Sequence, residues 1–278
     1  MSENKFPEEA QSLRNEIKRL RKSLSELTPS LDVLLKRRGF RIYKKEPSED
    51  LLLPAKEFQN GFYEMVKKYS FRLFLRDVIK QQDFFRLENV TRYATSEVTK
   101  DYLEYLRKIG LVEKVADGFR LSLRPIKSFG ETLEWFMSET FKVEFAAEAT
   151  WGIKFKRPRV GGDYDLIAKV DGAILYMEIK SSPPKQIYQK EIIAFFDRLS
   201  DFLPEIGIFF VDTELRMKDK IVPMFEEELS MRYVHPPKIM RMEKELFQIE
   251  DKIFIINAKD SIAANIEKVL SRYFRRSH

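Results

Sequence analysis

GGDYDLIAKVDGAILYMEIKSS, residues 161–182, contains two alternating runs, 162–170 and 173–181, joined only by Asp171-Gly172. Asp-Gly between alternating apolar residues is the strongest short signal for a two-residue β-hairpin. Such a turn fixes the register, so Val170 faces Ala173. Carried outward, the pairing sets Asp165 opposite Glu178 and Asp163 opposite Lys180, all four on one face of the sheet. Directly opposed carboxylates repel one another and weaken a sheet. Lys180 offsets one charge and a divalent cation would offset two. Magnesium takes oxygen ligands, usually one or two carboxylates plus waters and a substrate phosphate. Asp165 and Glu178 meet that need, and the carbonyl of Ile179 offers a third ligand. Lys180 is then placed to orient a nucleophile or to hold a phosphate. The bland alternative is a cross-strand salt-bridge network on a solvated sheet face.

The elements around the hairpin read as an α/β unit. FGETLEWFMSETF (129–141) carries Leu133, Phe136, Met137 and Phe141 at helical spacing. AEATWGIKFKR (147–157) reads as a strand, PPKQIYQKEIIAFFDRLSDFL (183–203) as a helix, and IGIFFVD (206–212) as a central strand. MKDKIVPMFEEEL (217–229) reads as a helix, ELFQIEDKIFIINA (245–258) as a hairpin about Glu250-Asp251, and 260–274 as a helix capped by Asp260.

Here the chain resembles the restriction-endonuclease-like, PD-(D/E)xK nuclease superfamily, over about residues 129–212. The resemblance rests on Asp165, a short turn, and then Glu178-Ile179-Lys180. The proline that often precedes the first Asp is replaced by Tyr164. The resemblance implies a mixed sheet flanked by helices and a metal at the hairpin edge, Mg²⁺ or Mn²⁺. It also implies a Glu on the preceding helix, Glu134 or alternatively Glu131, and a basic or Gln residue on the following one. Lys185, Gln189 and Lys190 are the candidates for that last place. The implied activity is metal-dependent hydrolysis of nucleic acid, with Asp165, Glu178, Lys180 and Glu134 as the catalytic set.

The front of the chain is different in character. Residues 1–128 hold 27 Lys and Arg against 19 Asp and Glu, whereas residues 129–278 hold 23 against 25. That asymmetry points to a polyanionic partner for the front half, such as nucleic acid. Residues 8–27 set Leu13, Ile17, Leu20, Leu24 and Leu27 in one narrow stripe, which suits either a short coiled-coil seam or packing on its own domain. Pro29 stops that helix, Ser30 caps the next, and KKEPSED (44–50) reads as a break. Helical patterns over 54–82 and 96–109 precede LVEKVADGFRLSL, a hairpin expected to turn at Asp117-Gly118. Helices followed by a two-stranded wing resemble a winged helix-turn-helix. On DNA, Lys100, Arg107, Lys108 and Arg120 would touch phosphates. Lys154, Lys156, Arg157 and Arg159, just before the acidic hairpin, would track the backbone.

The expected organisation is an N-terminal helical segment (1–45), a winged-helix-like domain (46–127) and a restriction-endonuclease-like mixed-sheet sandwich (128–278). With no Cys and only His235 and His278, thiolate metal sites, His-rich zinc sites and a Ser-His-Asp triad are poor readings. No apolar run approaches a membrane span and MSENKFPEEAQSL has no signal-peptide core, so a soluble cytoplasmic protein is expected. Cutting both strands of a duplex would favour a homodimer. Two other readings remain: a catalytically retired DNA-binding or scaffolding protein, and a winged-helix transcription regulator.

Overall fold

The computed structural model describes residues 29–122, 125–156 and 159–276, together with Leu13, Glu16, Ile17, Arg19, Leu20 and Ser23. Two units divide the chain, Met1–Ile42 and Tyr43–His278. In the first, the six scattered residues are helical, and Leu13, Ile17 and Leu20 are exposed. Leu24 and Leu27, the rest of the expected stripe, lie outside the described residues. Helix α1 (Leu31–Arg37) follows, with Ser30 accepting from the Val33 N–H as its sequence suggests.

The front of the second unit is mostly helical. After a 3₁₀ turn at Lys56–Phe58 come α2 (Gln59–Val66) and α3 (Tyr69–Lys80), then the short α4 (Leu87–Val90) and α5 (Ser96–Lys108). Thr95 caps α5 by accepting from the Val98 N–H. Gly110, at φ +75°, stops it, since a left-handed residue there suits glycine. The hairpin β2 (Val112–Val115) and β3 (Gly118–Leu121) comes next. Its turn is Ala116-Asp117, one residue earlier than expected, and Gly118 pairs with Val115. The reason is the neighbouring chain. Phe85 and Phe119 exchange backbone hydrogen bonds of 2.8 Å, and a Cβ on Gly118 would lie 2.8 Å from the Phe85 carbonyl oxygen. Gly118 is therefore needed for close approach in the strand and not for the turn.

The large sheet is mixed. Helix α6 (Gly130–Glu144) leads into β4 (Glu148–Phe155), β5 (Tyr164–Val170) and β6 (Ala173–Lys180); α7 (Gln189–Phe202) leads into β7 (Ile206–Val211). Helix α8 (Ile221–Arg232), strands β8 (Ile239–Glu243), β9 (Leu246–Ile249) and β10 (Ile253–Asn257), and α9 (Ile262–Arg276) follow. The strand order is β4-β5-β6-β7-β10-β9-β8, with the short strand Ile42–Lys44 (β1) beyond β4. Pairing is antiparallel from β4 to β6, parallel across β6-β7-β10, and antiparallel again to β8. This is the mixed α/β architecture expected from alternating elements. Helix α9 takes its cap from Ser261, which accepts from the Ala264 N–H, while Asp260 pairs with Lys244 at 2.6 Å. Among the described residues no helix is long and apolar enough to cross a membrane.

Strand β6 lies mid-sheet and is buried along its whole length except Lys180. Met177 and Ile179 belong to the core shared with Leu133, Phe136 and Met137 of α6. Tyr176 meets Tyr164 and the α7 side chains Phe195 and Phe202 on the other face. The carboxylate of Glu178 thus sits in an apolar double layer, where an unpaired charge would be costly.

Candidate active site

The hairpin has the register its turn demands. Asp171 and Gly172 both have positive φ, +47° and +85°, as a type I′ turn requires. The ladder runs from Val170–Ala173 to Leu166–Met177. There β5 leaves β6, and β6 continues beside β7, with Glu178 against Phe209 and Lys180 against Val211. The Ile179 N–H, which now has no β5 carbonyl, donates to Asp165 Oδ2 at 2.7 Å. Asp165 and Glu178 therefore meet at the mouth of the hairpin. Asp163 does not join them. It precedes β5, is exposed, and pairs with Lys154 Nζ at 3.1 Å rather than facing Lys180. The expected register fails there because the ladder has already ended and Gly162, at φ +98°, turns the chain aside.

Glu178 is 2 % exposed. Its Oε1 accepts from Lys180 Nζ at 2.7 Å; its Oε2 accepts from the Tyr176 hydroxyl and from Arg198 Nη1 at 2.8 Å. Burial pushes the Asp165 carboxyl up to about 7, and the Glu178 charge adds to it against the pull of Lys180. Burial also pushes Glu134 of α6 up to about 9, helped by the charges of Asp165, Glu131, Glu178 and Asp163. Burial works against the Lys180 ammonium, but Glu178 and Asp165 outweigh it and hold its pKa above the ordinary lysine value. Burial raises the Tyr176 hydroxyl far above its usual range, with Glu178 and Asp165 adding to the effect, so it remains a donor.

Of the two helix carboxylates, Glu131 accepts from the Asp50 N–H at 2.9 Å, whereas Glu134 faces the acidic pair. Gly152 of β4, at φ +57°, makes room there: a Cβ on it would strike Pro47 and lie 3.6 Å from Glu134 Oε2. It falls between the Trp151–Leu166 and Ile153–Tyr164 pairs, beside Asp165.

The residues expected on the following helix do other work. The Lys185 carbonyl accepts from Lys220, Gln189 donates to the Met224 carbonyl, and Lys190 lies over the Tyr188 ring. The cation this helix brings to the site is Arg198, which sequence reading missed. Its signal was spacing: Arg198 is three residues after Phe195 and four before Phe202, on the inward stripe of α7.

A second buried charge cluster stands behind the site. Asp212, fully buried just past β7, donates its backbone N–H to the Lys180 carbonyl at 2.8 Å. Its carboxylate accepts from Arg72 Nε at 3.0 Å and from Arg76, both on α3. Arg72 also donates to the Val66 and Lys67 carbonyls at the end of α2. Arg76 lies over Phe129, next to α6.

The basic positions are spread over the surface. Lys100 and Lys108 are exposed on α5, where Arg107 pairs with Glu104 at 2.8 Å. Arg120 pairs with Glu113 across the small hairpin at 2.6 Å. Lys156 and Arg159 are exposed; Arg157 lies outside the described residues.

Asp165 and Glu178, with the Ile179 carbonyl between Glu178 and Lys180, are a hard-oxygen set of the kind Mg²⁺ accepts. Burial first, and the neighbouring carboxylates second, raise Asp165 and Glu134, and a divalent cation at the hairpin mouth would offset that crowded negative charge. Among the described residues, no three His, Cys, Asp or Glu side chains are drawn tightly enough together to hold a metal ion. Magnesium does not need three, since waters and phosphate complete its shell.

No family model and no curated protein matches this chain. Among solved structures, it is similar to Can2 from Sulfobacillus thermosulfidooxidans, determined in complex with cyclic tetra-adenylate. The TM-score is 0.50 at 14% identity, over 88% of this chain and 60% of Can2. Protein VC1899 from Vibrio cholerae aligns with a TM-score of 0.47 at 9% identity, over 87% of this chain and 59% of its own. The chain thus spans less than two thirds of either neighbour, and the likeness to Can2 is one of fold.

Proposed function

We propose that this chain is a metal-dependent nuclease that hydrolyses phosphodiester bonds of nucleic acid, DNA in the first instance, on a PD-(D/E)xK-type core. The observation that carries this reading is the junction of Asp165 and Glu178 at the hairpin mouth with Lys180 on Glu178. Asp165, Glu178 and the Ile179 carbonyl would hold Mg²⁺ or Mn²⁺, which when bound supplies a Lewis acid for the phosphate. Lys180 brings a fixed positive charge to the same mouth; its part is to orient the attacking water and offset charge on the phosphate oxygens. Glu134 holds a proton or an outer-shell water beside Asp165.

Residues 46–127 act as a winged-helix-like module in this reading. The support is the order α3-α4-α5 followed by the β2–β3 hairpin, with exposed Lys100 and Lys108 on α5. That module, with Lys154, Lys156 and Arg159, would hold the duplex through its phosphates. Two copies acting together would cut both strands.

One observation favours the alternative of a retired, DNA-binding scaffold: Glu178 is already bound by Lys180, Arg198 and Tyr176. The test is incubation of the purified protein with labelled duplex, single-stranded and branched DNA, in Mg²⁺, Mn²⁺ or EDTA. Metal-dependent cleavage supports the nuclease. Retarded but uncut DNA in every condition supports the scaffold.

A further inference from the structure

Resting on the metal-dependent reading above, we propose that Arg198 is a positioning residue that makes Glu178 a one-sided metal ligand at a cost in metal affinity. A carboxylate oxygen has two acceptor directions. Glu178 Oε2 uses both, on the Tyr176 hydroxyl and on Arg198 Nη1 at 2.8 Å. Oε1 uses one, on Lys180 Nζ at 2.7 Å. Among the described residues, the remaining direction belongs to Oε1, on the oxygen that already carries Lys180. Arg198 and Tyr176 thereby fix which oxygen of Glu178 meets a cation.

Arg198 is built into this place. Its side chain is 12 % exposed, and its Nε is buried with no hydrogen-bond partner. Phe195 and Phe202 flank it on α7. Gly162 closes over it: at φ +98°, any Cβ on that residue would collide with Arg198 Nη2. A guanidinium keeps its charge at every working pH, so this cation cannot leave by deprotonation. It offsets Glu178 in the metal-free protein and repels a divalent ion arriving at the same carboxylate. Affinity is the quantity lost, and a fixed ligand orientation is the quantity gained.

The test compares wild type, Arg198→Met and Arg198→Lys by Mn²⁺ binding isotherms, with cleavage measured at saturating Mn²⁺. Arg198→Met removes the charge. It should bind Mn²⁺ about tenfold more tightly and cleave about tenfold more slowly, the first from lost repulsion and the second from lost orientation. Arg198→Lys keeps the charge but loses the planar fork, so it should bind Mn²⁺ within about twofold of wild type yet still cleave more slowly. Simple loss of structure weakens both properties together and cannot give tighter binding with slower cleavage. If Arg198→Met does not fold, Arg198→Lys alone decides: wild-type cleavage by that variant overturns the proposal. Wild-type protein that binds and cleaves, with Arg198→Met no tighter for Mn²⁺, overturns this inference alone. Wild-type protein that binds no Mn²⁺ overturns it together with the metal-dependent reading.

Discussion

Asp165 reaches across the open end of the β5–β6 hairpin to accept the Ile179 N–H at 2.7 Å, where the ladder between the strands has stopped. One carboxylate thus completes the backbone of β6 and faces Glu178. Its Oδ2 serves the backbone; in the proposed nuclease Oδ1 would meet the metal. Asp165→Asn keeps an oxygen for Ile179 and removes the charge. The variant should retain the wild-type circular dichroism spectrum and lose cleavage by two or more orders of magnitude, the range for removing one charge stabiliser. Lys180→Ala should do the same.

The acidic cluster sets a pH dependence of stability. The folded protein holds protons on Asp165 up to about pH 7 and on Glu134 up to about pH 9, against ordinary values of 3.8 and 4.5. Between the ordinary and the raised values the folded state binds more protons than the unfolded chain. Stability contributed by these groups therefore falls as pH rises, first to about 7 and then to about 9. In the proposed metal-dependent nuclease a divalent cation would bind the ionised carboxylates and reverse that loss. The melting temperature in EDTA should drop from pH 5 to pH 9, and the gain on adding Mg²⁺ should widen over the same span. A Mg²⁺ shift that is flat with pH would contradict this account.

Arg72 and Asp212 are 1 % and 0 % exposed and lie 140 residues apart in sequence. Removing Arg72 leaves the buried Asp212 charge on Arg76 alone and takes the donor from the Val66 and Lys67 carbonyls. Arg72→Met should cost roughly 3–5 kcal/mol in urea denaturation. The double variant Arg72→Met/Asp212→Leu should recover much of that, because replacing both charges removes the desolvation penalty as well. Because Asp212 also binds the Lys180 carbonyl, hydrogen exchange at Lys180 and its neighbours should quicken in Arg72→Met.

Phosphate contacts carry a salt signature. Lys100→Ala and Lys108→Ala should each weaken DNA binding uniformly across sequences and lower the slope of log K against log salt by about 1. Arg107 and Arg120 are already paired with Glu104 and Glu113, so their alanine variants should change the slope less. Gel-shift titrations at several salt concentrations measure both.

The parts of this molecule legible in the sequence were those fixed by local rules. Asp171-Gly172 has one turn geometry, so it gave the register that brings Asp165 to Glu178. Ser30 and Gly110 mark helix ends by the same kind of local chemistry. What failed was decided at longer range. The pairing expected for Asp163 needs a ladder three residues longer than the one that ends at Leu166. The small hairpin turns one residue early because Phe85, 34 residues before Phe119, lies against it. Strand β8 was missed because it is half-exposed and charged, with the pattern of an edge strand rather than a buried run. Arg198 and the Arg72–Asp212 pair had no local signal beyond helical spacing, since their partners are distant in sequence.

The most direct measurement is cleavage of labelled DNA by wild type and Asp165→Asn side by side, in Mg²⁺ and in EDTA, with binding to the same DNA followed in parallel. Wild type should cut only with metal, and Asp165→Asn should bind the DNA without cutting it. Cleavage that persists in Asp165→Asn, or in EDTA, would contradict the account.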